Sequence, residues 1–224
     1  MEKPTGKKNK TITIRGKIAD HNVAAKESLL NVAVPCGVGT LTVYDDRSGQ
    51  QGRVVPYRTI GVVVQTSPQI AQTKHAKFTL TLYAPSPVWY AANRSTLILG
   101  NLEDVTYIND GHYASDYELR IMPTSAIRQM SLYLDGITAS SPYLYCDFTK
   151  IDPNGVTGNI LFSRERGKIR LTVGGVNAIS ALSPESKLWA LPPGEHTLTL
   201  SAGATLAGSV SFAPAYAGVV INAL

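Results

Sequence analysis

Cysteine is scarce in this chain. Cys36 and Cys146, its only two, are too few for a disulfide framework. Both stand among apolar or aromatic neighbours, where a buried free thiol is the default. Charge is scarce as well. Asp, Glu, Lys and Arg make up 17% of the 224 residues against 44% hydrophobic ones, too little charge for a disordered chain and enough apolar material for a core. Long hydrophobic runs are missing. No uncharged stretch is long enough to span a membrane as a helix, and no apolar run of signal-peptide length follows the basic start. The expectation is synthesis in a reducing cytoplasm, without membrane insertion.

Catalytic motifs are missing too. There is no Gly-x-Ser-x-Gly elbow and no phosphate-cradling glycine loop; Gly37-Val-Gly39 leads into a strand pattern instead. His21, His75, His112 and His196 are dispersed, so no zinc site and no cofactor is expected. Asp110, His112 and Asp116 come nearest to an acid–base cluster, but a turn role accounts for Asp110 without chemistry. Asp45-Asp46 reads as a solvated hairpin turn rather than a cation site. No carboxylate pair stands out as glycosidase machinery. The expectation is a protein that is not an enzyme.

The formal charge of +5 belongs to one end. Residues 1–19 carry Lys3, Lys7, Lys8, Lys10, Arg15 and Lys17 against Glu2, which leaves fifteen basic and fifteen acidic side chains in a neutral body. A neutral body does not attract polyanions over its whole surface. The arm reads most simply as a solvated tail. Its functional alternative is contact with a polyanion or acidic partner through Lys3, Lys7, Lys8, Lys10 and Arg15.

What the sequence does have is alternation. Apolar and polar residues alternate in Thr11–Arg15, Gly39–Tyr44, Thr59–Val64, Lys77–Tyr83, Tyr117–Ile121, Met130–Leu134, Tyr143–Cys146, Lys168–Val173, His196–Leu200 and Gly208–Phe212, the period of half-buried strands. Thr, Val, Ile and Tyr dominate these runs. Asp45–Gly49, Asn109–Gly111, Leu134–Gly136, Asp152–Gly155 and Pro192–Gly194 each suit a tight reversal. Only Val23–Leu30, with Asp20 as N-cap and Pro35 beyond, suits a short helix. The fold class expected is all-β in two domains, residues 1–95 and 96–224, divided around residues 90–102, just after Pro85 and Pro87 interrupt the strand pattern that ends at Tyr83.

Two surface readings follow. Arg164, Arg166, Lys168 and Arg170 share one parity and would share a face if the segment were extended, yet Glu165 and Gly167 suggest a hairpin bend, and a solvent-facing strand edge is the simpler role. Tyr107, Tyr113, Tyr117, Tyr133, Tyr143, Tyr145 and Trp189 cluster in the second half. Tyrosines on strands usually pack half-buried with the hydroxyl at the rim; exposed members, with Tyr113, Tyr133 and Trp189 as candidates, would instead stack sugar rings.

Several segments carry a family resemblance. Phe78-Thr-Leu-Thr-Leu-Tyr-Ala-Pro-Ser-Pro-Val-Trp-Tyr90, preceded by Lys10–Ile18 and Gly39–Val43, resembles the close of the N-terminal domain in siphophage distal tail proteins. Leu188-Trp-Ala-Leu-Pro-Pro-Gly-Glu-His-Thr-Leu-Thr-Leu200 and Val210–Val219 are similar to that family's Pro-Pro-Gly turn and closing strand, and Tyr145–Thr149 sits where the family has a hydrophobic–Asp–x–Thr strand. The order covers most of the chain. It departs from the family at its start, where only Met1–Asn9 precedes the first strand. The resemblance thus implies a shortened ring domain or another role for the arm.

The resemblance implies an N-terminal ring-forming β domain with one short helix and a C-terminal galectin-like or carbohydrate-module-like β-sandwich. It implies a six-subunit ring at the virion tail tip that joins the tail tube protein to the tail-associated hub protein and carries receptor-binding proteins in many members, with DNA only as cargo in the channel. The alternative is a carbohydrate-binding protein that contacts a host surface polymer through the second domain.

Overall fold

The computed structural model describes residues 10–19, 38–45, 50–65, 75–84, 88–137, 143–165, 167–204 and 206–216. The expected helix at Val23–Leu30, Cys36, and Lys3, Lys7 and Lys8 of the arm lie outside the described residues. The chain divides into two compact units, Met1–Ala92 with Ala217–Leu224, and Asn93–Tyr216.

In the first unit, β1 (Lys10–Ala19), β2 (Val38–Asp45), β3 (Gln50–Gln65), β4 (His75–Ala84) and β5 (Trp89–Ala91) form antiparallel pairs. β4 lies between β1 and β3, and β3 also pairs β2 and β5. The alternation in β1 does what its period requires. Thr11, Thr13 and Arg15 are exposed, while Ile12 and Ile14, opposite Leu82 and Leu80, turn to a small core. A Cβ at Gly16 would lie 2.4 Å from the Phe78 ring, so the glycine makes room for that ring. Asp45 pairs with Gln50, as a turn between them predicts. The expected strand Thr59–Val64 runs further back than alternation shows, through Pro56 to Gln50. Pro56 sits opposite Thr40, and the ladder to β4 slips between Thr59 and Gly61.

The second unit is a two-sheet sandwich. Its strands are β6 (Ser95–Leu99), β7 (Asp104–Asn109), β8 (Tyr117–Pro123), β9 (Gln129–Leu134), β10 (Tyr143–Asp147), β11 (Ile160–Glu165), β12 (Lys168–Val173), β13 (Val176–Asn177), β14 (Gly194–Ser201) and β15 (Leu206–Phe212), followed by the short β16 (Ala215–Tyr216). One sheet has the order β10-β9-β14-β7 and the other β13-β12-β11-β8-β15-β6. Leu119, Ile121, Phe162, Leu171, Val210 and Phe212 from the larger sheet meet Met130, Leu132, Leu144, Cys146, Leu198 and Leu200 from the smaller in one buried cluster. Each large side chain so buried contributes about 1.5–3 kcal/mol. Around residues 90–102, where a domain boundary is expected, the chain forms the end of β5 and all of β6. Asp135 and Gly136 both take positive φ, 59° and 99°, the reversal that Leu134-Asp-Gly136 predicts. At Asp152–Gly155 the Asp152 carboxylate accepts from the Asn154 N–H at 2.8 Å.

Candidate functional site

The fold engages the residues that chain order brings close in structural contacts. Asp110 accepts a hydrogen bond from the Tyr216 hydroxyl at 2.9 Å. The His112 ring meets the Tyr216 ring edge-on with centroids 5.8 Å apart. Asp116 forms an ion pair with Arg164 of β11. Asp110 and His112 thus both engage Tyr216, and Asp116 engages Arg164, so each member of the nominal acid–base cluster has a structural contact.

The basic stripe is divided by a hairpin. β11 and β12 pair with Glu165 opposite Lys168, Arg164 opposite Ile169 and Ser163 opposite Arg170. The reversal changes parity. Arg164 shares the inward face with Phe162 and lies half-buried against Asp116, while Lys168 and Arg170 are exposed on the other face. Arg166 lies outside the described residues. Of the arm, Lys10 opens β1, and Arg15 is exposed on the same face as Thr11 and Thr13.

The aromatic residues divide by burial. Tyr107 and Tyr117 are core residues at 2% exposure, and burial raises both phenols well above their ordinary range. The Tyr107 hydroxyl is buried with no hydrogen-bond partner. Trp189 stacks on Tyr117 with centroids 5.5 Å apart and an interplanar angle of 22°, so one indole face belongs to the core. Tyr113, in the β7–β8 connection, is 36% exposed, and Tyr133 is half-buried on the outward face of β9. The three stacking candidates therefore sit on three separate elements. Cys146 is a buried free thiol, and burial pushes it up to about 12, which makes it inert as a nucleophile.

Sequence reasoning missed the pair His196–Asp135. The imidazole places Nδ1 2.9 Å from Asp135 Oδ2 and Nε2 3.1 Å from the Pro193 carbonyl oxygen, while the Thr197 N–H donates to Asp135 Oδ1 at 3.1 Å. Burial acts to raise the Asp135 carboxyl, but the Thr197 N–H and His196 outweigh it and hold it below its ordinary value of 3.8. Both residues stand in turns that the sequence marks, Leu134-Asp-Gly136 and Pro192-Pro-Gly194. Only the pairing of β9 with β14 brings those turns together. Among the described residues, no group of three His, Cys, Asp or Glu side chains is arranged to hold a metal ion, and no helix is long and apolar enough to cross a membrane.

No protein-family model and no curated protein matches the sequence. Solved structures do. The fold is similar to the Dit (gp 19.1) protein of phage SPP1, described as a paradigm of the hub adsorption apparatus in phages that infect Gram-positive bacteria. That match has a TM-score of 0.66 and 14% identity and covers 93% of this chain and 79% of the other. It is also similar to chains of the phage P2 baseplate in its activated conformation, with Ca (TM-score 0.53, 6% identity, 94% and 80% covered) and with Sr (TM-score 0.51, 8% identity, 96% and 81% covered). The chain has the all-β fold of these phage hub and baseplate proteins, the fold expected from its resemblance to siphophage distal tail proteins.

Proposed function

We propose that this protein is a structural component of a phage tail tip, a non-enzymatic adaptor whose copies close into a six-subunit ring between the tail tube and the hub. The observation that carries the reading is the likeness to SPP1 Dit over 93% of the chain, which takes in both units rather than a common sandwich alone. A second feature of the first unit supports it. One cluster of its described core is centred on Leu80 and Leu82, with Ile12, Ile14, Leu41 and Phe78 only partly buried around them. Partly covered apolar residues on a sheet gain burial when another copy packs there. β1 pairs only β4 among the described strands, and an edge strand can take up a neighbouring strand. Head-to-tail contacts close into a ring when the rotation divides a full turn. Tail tube protein, hub protein and receptor-binding protein are the partners this role implies, in the virion, with DNA as cargo in the channel.

Light scattering on the purified full chain and negative-stain microscopy test the ring. Particles of six chains with a central hole are the expected result. A strict monomer at high concentration, without rings on the grid, overturns it.

A further inference from the structure

On the outward side of the smaller sheet lies a cleft of about 360 Å³. Register explains its lining. Tyr145 of β10 stands opposite Ser131 of β9, and Ser131 stands opposite Ser201 of β14. One row across three strands thus carries an aromatic ring and two hydroxyls, spaced at roughly 4.8 Å per strand. Gln129, two residues along β9, points to the same side, and Arg128 precedes it. The turn at Ala202-Gly203 closes the far end, held by the Asn101 carboxamide oxygen accepting from the Ala202 N–H at 2.9 Å.

The positions of these groups are set by the backbone. Phe148 N–H donates to the Arg128 carbonyl at 2.8 Å, and Ile127 bridges Val156 in both directions at 2.9 Å, so the chain entering β9 is pinned on two sides. Ser186 Oγ accepts from the Tyr145 N–H at 3.0 Å and donates to the Tyr145 carbonyl at 2.8 Å, which fixes the strand carrying that ring. The core is behind the sheet: Met130, Leu132, Leu144 and Cys146 alternate with the cleft residues and are fully buried. The floor of the cleft is therefore a rigid sheet rather than a loop.

We infer that this cleft binds a saccharide unit bearing a negative charge, such as a uronate. A sugar ring presents C–H groups on one face and hydroxyls around its rim. Tyr145 offers a surface for the first, and Ser131, Ser201 and Gln129 offer hydroxyl and carboxamide partners for the second. The charge preference comes from Arg128. It is the one charged residue of the lining, and a guanidinium can fork onto a carboxylate bidentately. The volume lies at the small end of ligand sites, which suits one ring. Tyr133 shares the outward face two residues from Ser131, diagonal to Tyr145 at roughly 7–8 Å, and extends the platform toward a second unit of a polymer. The site does not depend on the ring.

Saturation-transfer difference NMR and titration calorimetry on the full chain, with a panel of defined uronate-containing and neutral oligosaccharides, test this. A uronate-containing member is expected to bind, with Arg128→Ala weakening it by at least about tenfold and added salt weakening it further. Arg128 is exposed, and circular dichroism checks that the variant keeps its fold. Tyr145→Phe is expected to bind within about twofold of the parent and Tyr145→Ala to lose binding, with folding of each checked by circular dichroism. Absence of binding to every uronate-containing member overturns the inference. So does equal affinity for neutral members, or an Arg128→Ala variant that binds as the parent does.

Discussion

Asn109 Nδ2 donates to the Leu191 carbonyl oxygen at 3.0 Å and so ties the end of β7 to the segment that leads into the Pro192-Pro-Gly194 turn, 82 residues on. The same carboxamide group faces the Pro192 carbonyl at 3.2 Å and the Ser115 hydroxyl at 3.2 Å, and its oxygen accepts from the Gly111 N–H at 3.1 Å. Asn109 is 1% exposed, so water cannot replace these partners. Asn109→Ala leaves the Gly111 N–H and the Pro192 carbonyl short of a partner and is expected to cost about 2–4 kcal/mol. Urea unfolding, read as a lower midpoint at unchanged slope, measures it. A loss under about 0.5 kcal/mol, the range of ordinary surface changes, contradicts the assignment.

Two glycines of the second unit separate backbone strain from steric exclusion. Gly155 and Gly167 take φ of 89° and 77°, a region costly for other residues. A Cβ at Gly167 meets nothing within 4 Å, whereas one at Gly155 falls 2.8 Å from the Ile127 carbonyl oxygen. Gly167→Ala is expected to lose about 1–2 kcal/mol from backbone strain alone. Gly155→Ala adds displacement of the Ile127–Val156 bridge and is expected to lose at least about 1 kcal/mol more. Paired thermal unfolding curves decide it. Equal losses contradict the role given to the Ile127 contact.

Local chemistry is legible in this sequence, and pairing is not. Met130-Ser-Leu-Tyr-Leu134 alternates cleanly because one face of β9 meets the core and the other meets solvent, and the sequence records that directly. Ile160-Leu-Phe-Ser-Arg-Glu165 does not alternate, since half-buried Leu161 on the outer face is as apolar as its inward neighbours, and β11 escapes a period-two reading. Pro56 hides the first half of β3 because a ring without an N–H reads as a strand breaker. The bend between Arg164 and Arg170 was legible from Glu165 and Gly167, but which residue each strand turns inward was not; the β11–β12 register turns Arg164 inward and Arg170 outward. The cleft was unreadable for a related reason. Tyr145, Ser131 and Ser201 are neighbours only through strand order, and nothing local in three distant segments announces that they share a row.

The contact between Asp135 and His196 makes stability depend on pH in a definite direction. The Asp135 carboxyl is held below its ordinary value of 3.8, with burial opposed and outweighed by the Thr197 N–H and by His196. A carboxyl whose pKa is depressed by folding binds its proton more weakly in the folded state. Its contribution is therefore present above the unfolded value and is lost as pH falls through the folded one. Asp135→Asn is a clean probe, because asparagine tolerates the same left-handed backbone at φ 59° and keeps an acceptor for the Thr197 N–H while removing the charge. The Asp135 side chain is 52% exposed, so solvent screening limits the effect to about 1 kcal/mol or less. Urea midpoints of parent and variant are expected to differ most above about pH 5 and to converge as the pH falls below the carboxylate range, with the gap also shrinking in about 1 M salt, where charges are screened over roughly 3 Å. A gap that widens toward acid pH reverses the sign of the argument and removes Asp135 as a stabilising anion.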